Sequence, residues 1–316
     1  MNLSASSPSD ETPDLRIGTR GSPLALAQAH ELRRRLAAAL GRPETAFAIC
    51  IIKTTGDVIQ DRPLSEAGGK GLFTKELDVA LLRGEIDLAV HSAKDLPTIL
   101  PEEIGIVGYL PREDVRDAWI SRQAPQPQTL PAGSVVGTAS LRRTALLKRL
   151  RPDVSVTLLR GNVATRLAKV ERGELDATLL AYAGLKRLGL AHQATSLLDT
   201  EMFVPAVGQG AIGITARRED AKVAALLTPI LDPSTATCLR CERAYLRVLD
   251  GSCRTPIGGY ARLIEGQLQL RAVILRPDGS QFFETCRQGP AQEAESLGEA
   301  AARELIGRAP ADFFED

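Results

Sequence analysis

The sequence has 316 residues, 44% of them hydrophobic and 25% charged, which is typical of a globular protein too long for one core. Its net charge is zero and only 4% of its residues are aromatic, which argues against nucleic-acid binding by charge or base stacking. No apolar run has the length of a membrane span, and the Ser/Pro-rich first dozen residues do not resemble a signal peptide. We therefore expect a disordered tail, a cytoplasmic protein and reduced cysteines.

The first predicted elements are a strand at 15–19 and a helix that Ser22 caps, with Pro23 at its first position. Arg20 and Ser22 thus lie at a strand-to-helix turn, where an anion can bind. A plain helix cap beside a solvated arginine is the alternative that these residues leave open. A second strand is predicted at 47–53.

A Gly-rich segment at 54–71 follows, and its length indicates a lid or a disordered loop in which Lys70 could reach an anion. Next, a helix from Thr74 leads into a strand at 86–91. This strand ends just before Lys94 and Asp95, and α/β folds place their chemistry at such strand ends.

A short repeat relates two parts of the chain. The sequence RGEIDLA at 83–89 is echoed by RGELDAT at 172–178, and each follows an amphipathic helix and enters an apolar strand. The repeat predicts two lobes of similar α/β build, with an interdomain cleft that would suit a small molecule.

The second lobe carries a concentrated positive charge. Between 140 and 187 there are 11 basic and 4 acidic residues, an excess of seven, although the whole chain has 39 of each. Three times in this stretch a strand end, a helix start and arginines coincide. Arginine matches carboxylates in a bidentate way, so the pattern predicts the wall of a cleft for a multiply anionic ligand.

The chain is predicted to cross back to the first lobe near 205–210, which would form a hinge. From about 232 the pattern becomes that of a small α+β unit, with a helix, three strands and a final helix. We expect lobe 1 to comprise 1–110 and 206–231, lobe 2 to comprise 111–205, and the C-terminal domain to comprise 232–316.

Candidate reactive groups are few. Cys253 lies in a Gly-rich loop beside Arg254, which favours a thiolate nucleophile. Cys238 and Cys241 are spaced like metal ligands but lack two further ligands, so we expect no metal. His91 falls inside a strand and is expected in the core. Asp95, a carboxylate among many cations, could pair with a cationic intermediate.

Seven motifs resemble those of the porphobilinogen deaminase family, also called hydroxymethylbilane synthases. In chain order they are GGKGLFTKELDVALL, VHSAKDLP, GTASLRR, LRGNVATRL, AGLKRLGL, PAVGQGAIGI and DGSCRTPIGGYA. The resemblance implies two periplasmic-binding-protein-like lobes with a third domain, and a monomer. It also implies an enzyme that joins four porphobilinogen molecules to hydroxymethylbilane, releases ammonia, and is primed by a dipyrromethane bound covalently to a cysteine.

The resemblance also implies residue roles. Cys253 would carry the dipyrromethane and Asp95 would be the catalytic residue. The residues implied in cofactor binding are Lys94, Thr138, Ser140, Arg142 and Arg143. The residues implied in substrate binding are Arg20, Ser22, Lys70, Arg160, Arg166 and Arg187. Two departures, Ala139 where serine is common and Ser252 where glycine is common, remove no charged or nucleophilic role. A two-lobed anion-binding protein without catalysis is the alternative, and it explains neither Cys253 nor the third domain.

Overall fold

The computed structural model describes residues 13–58, 71–249 and 256–314. The elements before the first crossing are β1 (Leu15–Arg20), α1 (Pro23–Leu40), β2 (Phe47–Ile52), α2 (Thr55–Val58), α3 (Lys75–Leu82), β3 (Leu88–Ser92) and β4 (Ile104–Tyr109). The next group is β5 (Asp117–Ser121), β6 (Val135–Gly137), α4 (Leu141–Leu150), β7 (Ser155–Thr157), α5 (Val163–Glu171), β8 (Ala177–Ala181), α6 (Tyr182–Arg187) and β9 (Ser196–Leu197). The last group is β10 (Ile212–Arg217), α7 (Ala221–Leu227), α8 (Pro233–Val248), β11 (Ile257–Ile264), β12 (Gln267–Leu275), β13 (Phe282–Pro290) and α9 (Ala294–Arg308).

Two five-stranded sheets have the same design. The first has the order β2-β1-β3-β10-β4 and the second the order β7-β6-β8-β5-β9. In each sheet the first three strands are parallel and the fourth is antiparallel to both of its neighbours. The fourth strand of the first sheet, β10, comes after the whole second sheet in sequence. The chain therefore crosses between the sheets twice.

The sequence repeat marks equivalent positions in these sheets. The Asp87 carboxylate accepts a hydrogen bond from the Arg16 amide at 2.7 Å, and the Asp176 carboxylate accepts one from the Val135 amide at 2.7 Å. In the strand orders given above, each aspartate precedes the third strand of its sheet and holds the start of the second strand. The predicted two-lobed α/β architecture is confirmed, whereas the exact domain boundaries stay a prediction.

The third unit is a small α+β domain, as predicted. Its antiparallel sheet has the order β11-β12-β13, and α8 and α9 pack together against it. Alternate residues of β12, such as Leu268, Leu270 and Ala272, are buried in the core shared with the helices. Gly298 on α9 allows the helices to approach closely, because a Cβ there would lie 2.1 Å from the Cys241 carbonyl oxygen.

One buried carboxylate connects the crossings with this third domain. Glu242 on α8 is fully buried, and its carboxylate accepts hydrogen bonds from Nη1 and Nη2 of Arg112 at 2.6 and 3.1 Å. It also accepts the Gly208 amide and the Ala261 amide, each at 2.8 Å. Arg112 belongs to the first crossing, Gly208 to the second and Ala261 to β11. The carboxylate therefore joins three parts of the chain at one point.

The two lobes also touch directly between α1 and α6. Arg187 Nε donates to Glu31 Oε2 at 3.1 Å, and its Nη2 donates to the Gly210 carbonyl at 3.0 Å. The neighbouring Lys186 pairs with Glu113 at 2.6 Å. We call these two ion pairs the α6 latch. Among the described residues no helix has both the length and the apolar character needed to cross a bilayer.

Replacing Glu242 with Gln should destabilise the protein by about 3 to 5 kcal/mol, because it leaves the Arg112 guanidinium buried without a countercharge. Denaturant unfolding measures this change. Arg247→Gln, on the exposed side of the same helix, is the matched control. It should cost less than about 1 kcal/mol, since the Arg247–Glu299 pair is largely solvated. Equal losses in the two variants would contradict the assigned role of Glu242.

A double-mutant cycle with Glu31→Gln and Arg187→Gln should give a coupling energy of about 0.5 to 1 kcal/mol, because this pair is more shielded than most surface pairs. Their side chains are 20% and 9% exposed. The Glu299–Arg303 pair on α9 is the comparison, with Arg303 65% exposed, and should couple by about 0.3 kcal/mol. No measurable coupling between Glu31 and Arg187 would show that this ion pair does not stabilise the contact between the lobes.

Candidate functional site

The site is built at the carboxyl end of β3. The strand runs into a single 3₁₀ turn, Ala93–Asp95, which presents Lys94 and Asp95 on its exposed side. The second crossing lies directly behind this turn. Gly208 has a φ of 75°, and a Cβ on it would be 2.9 Å from the Lys94 amide nitrogen. Only glycine allows this approach, so the floor of the site is held by backbone contact.

A pocket opens beside this turn, within the first lobe. Its lining residues are Arg20, Ser22, Leu24, Ala25, Gln28, Phe73, Thr74, Val90, His91, Ser92 and Asp95. The structure thus brings together three residues that the sequence analysis assigned to the site. Ser22 Oγ caps α1 by accepting the Ala25 amide at 3.3 Å, as predicted. The Arg20 guanidinium lies 4.1 Å from the centroid of the Phe73 ring.

Buried polar groups line the inner wall of this pocket. Gln28 Nε2 donates to Ser92 Oγ at 2.9 Å, and Gln28 is only 3% exposed. His91 is buried, as its strand position predicts, with Nε2 3.0 Å from Thr215 Oγ1. Burial lowers the pKa of His91 to about 4, with a further lowering by Arg20, so its ring is neutral at physiological pH. The inner wall thus adds polarity without charge.

On the second lobe, the hydroxyls predicted to bind ligand form local caps. Thr138 Oγ1 accepts the Ser140 amide at 3.1 Å, and Ser140 Oγ accepts the Arg143 amide at 3.4 Å. These bonds shape the β6–α4 turn and hold the first turn of α4 in place. Contacts of Thr138 and Ser140 with a ligand stay predictions.

Arg142 and Arg143 lie in the first turn of α4, and both are 5% exposed. They share the fully buried Asp117 carboxylate at the start of β5, each with a shortest N–O distance of 2.7 Å. The two arginines do not form an open wall of the kind that the charge pattern suggested. They form a buried cluster, and their binding of ligand carboxylates remains a prediction. Together they hold the pKa of Asp117 well below its usual range, although burial alone raises it.

Arg166 comes from α5, which Asn162 caps by accepting the Thr165 amide. Its Nε donates to the Gly161 carbonyl at 2.8 Å. Burial, Arg143 and Arg160 lower the pKa of Arg166 to about 10, whereas Asp95 raises it. Because Asp95 belongs to the first lobe, its influence on Arg166 shows that the two walls face each other.

Charged groups of both lobes also act on Lys94. Lys94 is exposed as a residue, whereas its terminal amine is surrounded by protein atoms. This burial lowers the pKa of the Lys94 amine to about 8; Arg143 and Arg142 lower it as well, and Asp95 and Asp117 raise it. Two aspartates and several cations from two lobes therefore interact near the end of β3.

One predicted site residue is paired between the lobes, and two fall outside the described residues. Arg187 is in the α6 latch and is paired with Glu31. Lys70 and Cys253 lie outside the described residues. The described chain resumes at Pro256, and Gly259 nearby donates its amide to the Pro205 carbonyl of the second crossing at 2.9 Å. The loop with Cys253 therefore leads to a strand that lies against the crossing behind Lys94.

Sequence reasoning missed Asp117, Phe73 and Gln28. A charged residue at the start of β5, in which all five residues are buried, is a signal that could have indicated Asp117. Among residues 13–58, 71–249 and 256–314, no group of three or more His, Cys, Asp or Glu side chains could hold a metal.

Known proteins resemble this chain over nearly its whole length. A family model described as porphobilinogen deaminase, dipyromethane cofactor binding domain, matches residues 15–225, and one described as its C-terminal domain matches residues 236–307. The porphobilinogen deaminase of Nitrobacter winogradskyi is 57% identical over 307 residues, which are 97% of each chain. That of Paracoccus denitrificans is 55% identical over 308 residues, which are 98% of each chain. Among solved structures, a periplasmic substrate-binding protein from Coxiella burnetii is 14% identical, with a TM-score of 0.43, and the match covers 75% of this chain and 98% of that one. The chain belongs to the porphobilinogen deaminase family.

Proposed function

We propose that this protein joins four porphobilinogen molecules head to tail into hydroxymethylbilane and releases one ammonia for each. The observation that carries the proposal is that Lys94 and Asp95, in one turn of the first lobe, lie within electrostatic range of Arg143 and Arg166 of the second lobe. Each pyrrole has two carboxylates, so a two-pyrrole primer with four substrates carries about twelve negative charges. A cleft with this excess of cations matches such a ligand.

The residues present fit a dipyrromethane, which supplies the pyrrole end to which porphobilinogen is added. We assign Lys94, Thr138, Ser140, Arg142 and Arg143 to its carboxylates. Within the described part of the chain, Arg142 Nε is buried without a hydrogen-bond partner. An orphaned buried donor of this kind costs free energy unless a further acceptor arrives, and this supports an anionic ligand close by.

We assign the covalent attachment to Cys253. Burial raises the pKa of Cys238 to about 11 and that of Cys241 to about 12, so both thiols are unreactive. Cys286 is exposed, but it lies beside Tyr260 and Arg262 on the C-terminal sheet, away from the cleft. The family resemblance supports Cys253 as the attachment residue.

Asp95 is the group we assign to the chemistry. When the carbon–nitrogen bond of porphobilinogen breaks, ammonia leaves and the methylene carbon becomes electron-deficient. The Asp95 carboxylate stabilises this positive charge. A carbon–carbon bond to the terminal pyrrole of the chain then forms, and Asp95 accepts the proton that this pyrrole releases.

Binding of substrate carboxylates is assigned to Arg20, Ser22, Lys70, Arg160, Arg166 and Arg187. Arg187 can take this role only after it exchanges Glu31 for a substrate carboxylate. The family resemblance further supports a monomer that acts in the cytoplasm.

The purified protein, mixed with porphobilinogen, should release ammonia, and its intact mass should exceed the sequence mass by two condensed pyrroles. Peptide mapping should place the added mass on Cys253. Cys253→Ser should lose both the added mass and activity, whereas Cys286→Ser, the matched control at an exposed thiol, should keep both. Binding of porphobilinogen without ammonia release would favour the non-catalytic anion-binding alternative.

Asp95→Asn should reduce turnover at least about 100-fold without loss of the fold, because the amide keeps the size of the carboxylate but neither stabilises a cation nor accepts a proton. Single-turnover ammonia release measures the effect. Glu102→Gln, at an exposed position beyond the same turn, should retain full activity. A turnover of Asp95→Asn within about threefold of the unmodified protein, equivalent to about 0.65 kcal/mol, would refute the assignment.

A further inference from the structure

Asp117 has no role in the chemistry assigned above, yet it is fully buried and pairs with two arginines. Its Oδ2 accepts Arg142 Nη2 at 2.7 Å. Its Oδ1 accepts Arg143 Nε at 3.0 Å and Nη2 at 2.7 Å, together with Gln209 Nε2 at 3.1 Å. A carboxylate that is 0% exposed thus binds two guanidinium groups and one amide.

These bonds determine where the two guanidinium planes lie. Arg142 is also held by the Val204 carbonyl at 2.7 Å, and Arg143 by the Leu179 carbonyl at 2.9 Å. Each guanidinium is therefore fixed at two separate points, and neither can turn without breaking a bond to Asp117. The amide of Gln209 fixes the carboxylate in turn, since it also donates to the Val115 carbonyl at 2.8 Å.

The charge balance of this cluster is also informative. Two guanidinium groups and one carboxylate leave one net positive charge next to Lys94. The charged groups that act on Lys94 are Arg142 and Arg143 from α4, Asp117 from β5, and Asp95 from its own turn. Without Asp117, Lys94 would face two uncompensated guanidinium groups.

We propose that Asp117 is a positioning residue for the reaction: it sets the planes of Arg142 and Arg143 and limits the positive charge that they present to Lys94. This inference rests on the proposed function, because it takes the two arginines as contacts for ligand carboxylates. Asp117 itself touches no reacting atom. The remaining positive charge attracts the anionic ligand, and the fixed planes allow bidentate binding.

A purely structural ion cluster is the competing explanation, and Lys94 distinguishes the two. The rate of Lys94 acetylation as a function of pH, followed by peptide mass spectrometry on the full-length protein, reports its protonation without any need for activity. The unmodified protein gives the reference midpoint. In Asp117→Asn it should fall by about one pH unit, because a negative charge that favours the ammonium form is removed.

Steady-state kinetics give the second measurement. Asp117→Asn should raise KM for porphobilinogen about tenfold or more, the usual effect of losing charge-assisted hydrogen bonds. Asp176→Asn is the matched control, because that aspartate holds the opposite, amino-terminal edge of the same sheet. It should lower stability but leave both KM and the Lys94 midpoint unchanged. An unchanged KM and midpoint in a folded Asp117→Asn would overturn the inference.

If Asp117→Asn does not fold, Gln209→Met replaces it as the test. It removes one hydrogen bond from the carboxylate without changing the charge of the cluster, so KM should rise about threefold while the Lys94 midpoint stays in place. A wild-type KM in this variant would also overturn the inference. Failure of the unmodified protein to release ammonia would instead refute the proposed function.

Discussion

The hydrogen-bonded carboxylate of Glu242 is the interaction on which the arrangement of the molecule depends. Both crossings between the lobes and the C-terminal sheet meet at this group, and its two oxygens accept four hydrogen bonds. A buried charge is tolerated only when it is paired and its hydrogen-bonding capacity is filled. The two backbone donors matter most for the fold, because they connect the charge to the chain itself and so define where the C-terminal domain sits.

Buried charges in the cleft also need partners, but here part of the positive charge has to stay uncompensated in order to bind the ligand. A site for many carboxylates requires many cations, which repel one another when water is excluded. Asp117 offsets part of this repulsion for Arg142 and Arg143, whereas Arg166 has only one hydrogen bond, to a carbonyl, in the described structure. The cleft thus combines a compensated inner cluster with a less compensated outer wall. Because Asp117 offsets part of the positive charge, the empty site stays folded. The remaining positive charge still attracts an anionic pyrrole chain.

Sequence patterns predicted the features that depend on residues close together in the chain. Caps such as Ser22 and the repeat that contains Asp87 and Asp176 were readable because each signal spans only a few positions. The partners of Asp117 and Glu242 lie 19 to 130 residues away in sequence, so no local pattern marks them. The charge pattern correctly located the cationic lobe, but it could not show that Arg142 and Arg143 point into a buried carboxylate. The contact of Arg187 with Glu31 was similarly hidden, because Glu31 is on the other lobe.

The α6 latch and the Arg112–Glu242 pair differ greatly in the free energy needed to break them. This difference indicates how the lobes can move as the pyrrole chain grows. Breaking the α6 latch exposes two partly solvated ion pairs, worth at most about 1 kcal/mol each. Separating Arg112 from Glu242 would leave a buried charge, at a cost of about 3 to 5 kcal/mol. Gly208, packed against the Lys94 backbone, resists displacement of the floor as well. Opening therefore proceeds most easily as a rotation of the lobes that releases α1 from α6, while the crossings and the Lys94–Asp95 turn stay in place. A cleft of this design can widen for each added pyrrole while Asp95, the proposed reacting carboxylate, stays in place.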